Sequence, residues 1–352
     1  VYRMKKYFLF LLLLLIPLSA CQPVTKETPI EIGEAGTYWP TDDWRTAEPE
    51  ELGMDGSQLS ELSEYIDEND VEIHSVLVIK DGYLVAEYYF NDFDKDIPHI
   101  QYSVTKSFVS ALVGIALEEG YIESLDQTLE DFFPEYSYKD EITKEISLKN
   151  ILTMRTGLGW SESNPGYSGL MNADDAVAYM VNLPMIAKPG EQFAYCSGCS
   201  FLLSAIVAET TGMNTADYAQ KKLFDPLGID QPAWETVANG ISNGGWGLFL
   251  TPREMAKFGF LYLNEGYWDG EQIIPAEWVQ ASSGPGLKAD QYADYGYQWW
   301  ISSEGYYSAQ GLYGQAIFVI PENDMVVVMT ADLRGDNIEF WLLHEYILAA
   351  VK

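Results

Sequence analysis

Residues 103–120 read SVTKSFVSALVGIALEEG, and this stretch decides the rest of the chain. Phe108, Val109, Leu112, Ile115 and Ala116 recur at helical spacing, and Gly120 follows as a stop signal, so a helix is expected over 104–118. Its first turn carries Ser103 and Lys106. Residues three apart on a helix lie about 60° apart around the axis, close enough for an ammonium to reach a hydroxyl. Ser103 also stands at the positive end of the helix dipole, which favours a developing alkoxide or oxyanion. A serine hydroxyl is a poor nucleophile until a neighbouring base takes its proton. Lysine ordinarily titrates near about 10.4 and serves as that base only when desolvation or neighbours lower the value. A lysine in the first turn of an otherwise apolar helix calls for such a reason. Taken by themselves, the four residues also fit an N-capping serine followed by a solvated lysine.

Outward from this helix the pattern changes at both ends. Residues 75–90, SVLVIKDGYLVAEYYF, are two β-rich runs around Asp81-Gly82, a strong hairpin signal. Tyr295 to Ile301, Gly314 to Ile320 and Met325 to Thr330 are strand-like, the last two joined by Pro321-Glu322-Asn323-Asp324. The run 339–351 reads as a closing amphipathic helix. Between these ends helices are expected over 172–182, 199–211, 215–224 and 252–264, the last opened by Thr251-Pro252-Arg253-Glu254, a capping box with proline at the first helical position. Strands at both ends with helices between predict an α+β fold, one antiparallel sheet built from both termini.

Composition narrows the function. Acidic residues outnumber basic ones 53 to 20, a balance that repels nucleic acid. Three histidines, His74, His99 and His344, stand outside any motif, so a Ser-His-Asp triad is not expected. Three cysteines make no disulfide framework, and no metal site is expected. Cys196 and Cys199 could close a local disulfide or pack as two small residues beside the site; the unbonded reading is preferred. At the start, Met4-Lys5-Lys6 precedes an apolar run from Tyr7 to Leu18, then Leu18-Ser19-Ala20-Cys21. The pattern resembles a bacterial lipoprotein signal with a lipobox. It implies a signal peptide over 1–20, lipid attachment at Cys21, a tether over 21–45, a folded domain over 46–352 and an extracytoplasmic, lipid-anchored location. The helical part of that domain is expected over about 120–290.

Ser103-x-x-Lys106, the following LVGIALEEGYIESLDQTLEDFFPE (112–135) and LKNILTMRTGLGW (148–160) together resemble the serine β-lactamase and penicillin-binding-protein superfamily. The likeness spans roughly residues 50–335 and points to the class C-like branch, with its esterases, D-amino-acid peptidases and 6-aminohexanoate-dimer hydrolases. It implies the β-lactamase/DD-peptidase-like fold and a serine hydrolase without cofactor. The family's second motif, Y-x-N or Y-x-S, matches Tyr195-Cys196-Ser197 ahead of the apolar run FLLSAIVAETTG. The resemblance assigns Tyr195 to proton relay, as a tyrosinate if Lys106 supplies the positive charge, and Ser197 to hydrogen-bonding Lys106. Tyr262-Leu263-Asn264 fits the same pattern at the end of another helix and is set aside. The third motif, K-x-G or H-x-G, falls on Gly311-Leu312-Tyr313-Gly314-Gln315, with Leu312 where the family carries a cationic or polar residue that contacts a substrate carboxylate. This departure argues against β-lactams and D-Ala-D-Ala peptides and for a neutral ester or amide. The backbone N–H groups of Ser103 and Gln315 are expected to form the oxyanion hole. Trp160, Tyr313 and Gly314 are expected to line the substrate path, with Trp246, Trp299, Trp300 and Tyr167 near the cleft. Two alternatives remain, a β-lactamase or D-Ala-D-Ala carboxypeptidase, and a non-catalytic module that binds envelope material.

Overall fold

Asp81 and Gly82 both adopt positive φ (51° and 75°), the geometry that lets a two-residue turn follow the strand twist, and the expected hairpin closes on them. The structure, a computed structural model, describes residues 38–289, 293–335 and 337–352. The expected signal peptide, Cys21 and most of the expected tether lie outside the described residues. Strands β1 (Ile73–Lys80), β2 (Tyr83–Tyr89), β3 (Leu287–Lys288), β4 (Ala293–Tyr295), β5 (Trp300–Ser302), β6 (Tyr307–Gly311), β7 (Gln315–Ile320) and β8 (Met325–Ala331) form one sheet. Its order is β2-β1-β8-β7-β6-β5-β4-β3. The register pairs Leu77 with Val328, so the first and last long strands are antiparallel neighbours and both ends of the chain build the sheet.

The sheet is covered on both faces. Leu77, Ile79, Val326 and Val328 face one core, and Val76, Val78, Val327 and Met329 face the other. That explains why β8 reads as an unbroken apolar run rather than an alternation. Helix α1 (Gly56–Glu68), capped by Asp55 accepting from Ser57 N at 3.1 Å, buries Leu59, Leu62 and Ile66 against the second core together with the closing helix over 338–348. The other face carries the helical region. It includes α2 (Thr105–Glu118), α3 (Ser197–Thr211) and α4 (Pro252–Leu263), the last opened by the expected capping box at Thr251 and Glu254.

Three departures have local causes. The strand expected over 295–301 is two strands, because Gln298 turns at φ 65° and buries its side chain, accepting from Ser200 Oγ at 2.6 Å and donating to Leu152 O at 2.8 Å. The helix expected over 172–182 begins at Ala176, where the Asp175 carboxylate accepts from Ala178 N; a separate helix occupies Gly166–Met171. Residues 38–45, expected as the end of the tether, pack on the body instead. Trp44 is buried, the Trp39 ring lies 5.4 Å from that of Trp268, and Thr41 O accepts from Lys257 Nζ at 2.8 Å. Two tryptophans this close to Phe260 have apolar area to bury, so the folded part starts before residue 46.

Candidate active site

Helix α2 is buried along its length from Thr105 to Ala116, and the Phe108 ring stacks on Phe258 at 3.7 Å, which fixes the helix against α4. Its apolar stripe therefore does what the spacing predicts. Ser103 precedes it in a single 3-10 turn, Tyr102–Val104, entered through Tyr102 at φ 43°. A tyrosine in the left-handed region is uncommon and strained, and it presents Ser103 at the floor of a cleft of about 890 Å³.

Lys106 is 1% exposed. Its Nζ donates to Ser103 Oγ at 2.7 Å and to Gly245 O at 2.7 Å. Burial drives its pKa down to about 7, opposed by the Glu162 carboxylate. Near neutral pH a good fraction of the amine is therefore neutral, and the Ser103 hydroxyl can then donate to its lone pair across the same contact. Burial pushes the Tyr195 phenol up, Ser103 pulling its pKa only partly back down, and Lys106 Nζ lies 4.9 Å from its ring centroid. Tyr195 is therefore a neutral phenol, not the expected tyrosinate: the nearby amine is itself losing its charge and cannot stabilise a phenolate.

Ser197 does not hold Lys106. At the first turn of α3 its N and Oγ donate to Glu162 at 2.6 and 2.8 Å. Glu162 also accepts from Trp160 Nε1 at 2.6 Å and from the Tyr167 hydroxyl. A carboxylate at a helix N-terminus takes the free N–H groups there, and it outcompetes an amine for the serine. Trp160 supports Glu162 from behind, edge-on to Tyr167 at 5.7 Å, and is not part of the cleft wall. Tyr167, Trp246 and Trp300 are part of it, whereas Trp299 is fully buried in the core. Cys196 and Cys199 are disulfide-bonded, against the preferred reading: in the first turn of α3 their Cα atoms are 5.1 Å apart and both are buried.

The β6 end forms the opposite wall. A Cβ on Gly311 would lie 2.4 Å from Gln101 O, so only glycine lets this strand close against the segment that carries Ser103. Gln310 to Gly314 border the cleft, with Leu312 56% exposed. Gln315 does not border it. This residue begins β7, paired with Gly311 inside the sheet and set back from the cleft wall, so its backbone N–H, the expected second oxyanion donor, does not belong to a residue that lines the cleft. Tyr313, at φ 63°, sits edge-on to Tyr102 at 5.4 Å. Gly314 borders the cleft as expected, but for another reason. Its φ is 86° and a Cβ would meet Leu333 Cδ1 at 2.6 Å, so the glycine serves the turn rather than clearing space for a substrate.

Tyr262 lies in the core beside Trp299 and Tyr307, away from Ser103, and His99 Nε2 lies 3.2 Å from His74 Nδ1, outside the cleft wall. Among the described residues no cluster of three or more histidine, cysteine, aspartate or glutamate side chains is arranged to hold a metal ion. Sequence reasoning missed Glu162, Gly245 and Gln298. Glu162 follows the quoted 148–160 segment by two residues, and Gly244-Gly245 was a visible glycine pair; neither has a spacing that ties it to Ser103.

Comparison with known proteins agrees with this layout. The sequence matches the Beta-lactamase family over residues 62–351. It is 24% identical to the 6-aminohexanoate-dimer hydrolase of Paenarthrobacter ureafaciens, over 81% of this chain and 78% of that protein. It is 24% identical to the teichoic acid D-alanine hydrolase of Staphylococcus aureus strain MRSA252, over 93% and 87%. The solved structure of the octameric penicillin-binding protein homologue from Pyrococcus abyssi superposes with a TM-score of 0.65 at 22% identity, covering 84% of this chain and 76% of that one. The α+β fold is thus the β-lactamase/penicillin-binding-protein fold. With the match running from α1 to the closing helix, the chain belongs to the beta-lactamase family.

Proposed function

We propose that this hydrolase of the beta-lactamase family is a serine hydrolase that cleaves an ester or amide through a covalent acyl-enzyme on Ser103. The observation that carries the reading is the buried Lys106 amine, 2.7 Å from Ser103 Oγ and titrating near 7. Burying an amine without a carboxylate in contact is costly, and a fold keeps it where a neutral base is useful.

In the first step Ser103 Oγ bonds to the substrate carbonyl carbon while its proton passes to Lys106 Nζ. The carbonyl oxygen becomes an oxyanion, held by the Ser103 N–H and by a backbone N–H of the 311–313 edge. The proton returns through the Tyr195 hydroxyl to the leaving oxygen or nitrogen as the carbon–leaving-group bond breaks. Water then attacks the ester on Ser103, giving its proton to the same pair, and the acid leaves. Gly245 O holds Lys106 in register throughout.

The substrate carries no carboxylate for residue 312 to hold. Leu312 is apolar, and no lysine, arginine or histidine borders the cleft among the described residues, which disfavours β-lactams and D-Ala-D-Ala peptides. The relatives' names, a 6-aminohexanoate-dimer hydrolase and a teichoic acid D-alanine hydrolase, are consistent with hydrolysis of non-β-lactam bonds. A fluorophosphonate probe, compared between the wild type and Ser103→Ala, tests the nucleophile without knowledge of the substrate. Labelling of the wild type alone is expected. Equal labelling of both, or of neither, sinks the reading.

A further inference from the structure

The wall of the cleft contributed by the closing helix holds a carboxylate for which the chemistry at Ser103 has no use. Glu339 stands in that helix's first turn, 8% exposed, and borders the same cleft as Ser103. Its Oε2 has no hydrogen-bond partner among the described residues. Burial pushes the carboxyl up, its own backbone N–H pulling only partly against it. A buried acceptor without a donor costs roughly 1–3 kcal/mol, more when charged. An acidic residue serving only the helix dipole gains as much from the surface, where water satisfies it.

The surroundings indicate what would satisfy Glu339. Glu162, the other carboxylate that borders the cleft among the described residues, is already saturated by its four donors. Arg334 is 70% exposed, bound to Asp332, and lies over the Tyr313 ring at 5.0 Å without itself bordering the cleft. The rest of the wall mixes polar side chains such as Ser168 and Gln310 with aromatic rings, among them Tyr167, Trp246 and Phe340. A carboxylate with an unfilled acceptor, in a cleft whose wall also carries aromatic rings, is an environment that recognises an organic cation.

We infer that the cleft selects substrates carrying a cationic nitrogen, a primary or quaternary ammonium, remote from the scissile bond, with Glu339 as its counter-ion. This rests on the acyl-transfer reading of Ser103 and names the substrate class for that site. It also replaces the neutral substrate expected from sequence: Leu312 removes a cation from the wall, and Glu339 adds an anion.

The test uses matched ester pairs that differ only in charge, a trimethylammonio group against its tert-butyl isostere. The group is placed on the acyl side of 4-nitrophenyl esters over a series of spacer lengths, and on the alcohol side as choline and 3,3-dimethylbutyl esters. Charge pairing with a desolvated carboxylate, which a quaternary ammonium makes without an N–H, supports a preference of about tenfold or more in kcat/KM for the cationic member. In Glu339→Gln, which keeps the shape and the helix turn, the ratio is expected to fall to near one. A ratio near one in the wild type for every pair overturns the inference, as does a preference that survives Glu339→Gln. Where no ester is turned over, the pairs compete against fluorophosphonate labelling of Ser103; protection by the cationic member alone supports the inference and equal protection or none overturns it. Labelled Ser103 without cation preference defeats only this inference, whereas unlabelled Ser103 defeats the serine hydrolase reading beneath it.

Discussion

Replacing Lys106 by Met should abolish acyl transfer while making the protein more stable, and the gain should fade as pH rises. In the unfolded chain the lysine titrates near its ordinary 10.5, and in the folded chain near 7. Between those values the unfolded state holds a proton that the folded state lacks, so stability rises with pH through this window. Below 7 both states are protonated and the full penalty of the buried ammonium applies, about 4–5 kcal/mol. By pH 9 roughly 2 kcal/mol of it remains. Methionine removes the penalty and keeps the volume, but it leaves Gly245 O without its donor at about 1–3 kcal/mol. The balance is a gain of roughly 2 kcal/mol at pH 6.5, or about 4 °C in Tm for a chain this size, falling to near zero at pH 9.

Paired thermal melts at the two pH values measure this directly, since every other titrating group is common to both proteins. The kinetic counterpart is the rate of fluorophosphonate labelling of the wild type, which should rise with pH around a midpoint near 7 as the amine becomes neutral. A variant less stable than the wild type at pH 6.5, a stability difference that does not change with pH, or a kinetic midpoint near 10 would each show that Lys106 is not the desolvated base described above.

Tyr195→Phe removes the hydroxyl that interacts with Ser103 but keeps the ring stacked 5.9 Å from Trp300, so kcat should fall by about 10²–10⁴-fold while the melting curve barely moves; steady-state ester hydrolysis and a thermal melt on the same sample check both halves. Glu162→Gln removes the charge that holds the Lys106 pKa up, so the labelling midpoint should move to lower pH. A midpoint that moves upward or stays put, measured in the same labelling assay, would show that Glu162 acts on Lys106 by packing rather than by charge.

What the sequence made legible was local. Ser103 and Lys106 sit one turn apart, and the apolar stripe behind them is a property of fourteen consecutive residues. The Asp81-Gly82 hairpin and the Thr251–Glu254 capping box are equally self-contained. Strand β6 escaped because Tyr307-Ser308-Ala309-Gln310-Gly311 is small and polar, its pairing supplied by the neighbours on either side. The errors at the site have one origin. Lys106 takes its second bond from a carbonyl 139 positions away, and Ser197 takes its partner from a loop 35 positions back. A resemblance can place Ser197 near Lys106, but which of two neighbours its hydroxyl binds depends on Glu162, a residue no motif mentions.

That partition also explains how one cleft holds a carboxylate and a neutral amine together. A carboxylate in direct contact with Lys106 would lock the lysine as an ammonium, since a buried ion pair favours both charges. Here Glu162 is engaged by the Ser197 N and Oγ, the Trp160 indole and the Tyr167 hydroxyl, and its charge is already spread over four hydrogen bonds. What reaches Lys106 is a residual field that opposes burial without reversing it, and the lysine settles near 7 rather than lower. Ser197, expected to restrain the amine by touching it, instead helps keep the amine's strongest competitor occupied. The four donors around Glu162 are therefore part of the base, although only the lysine meets the nucleophile.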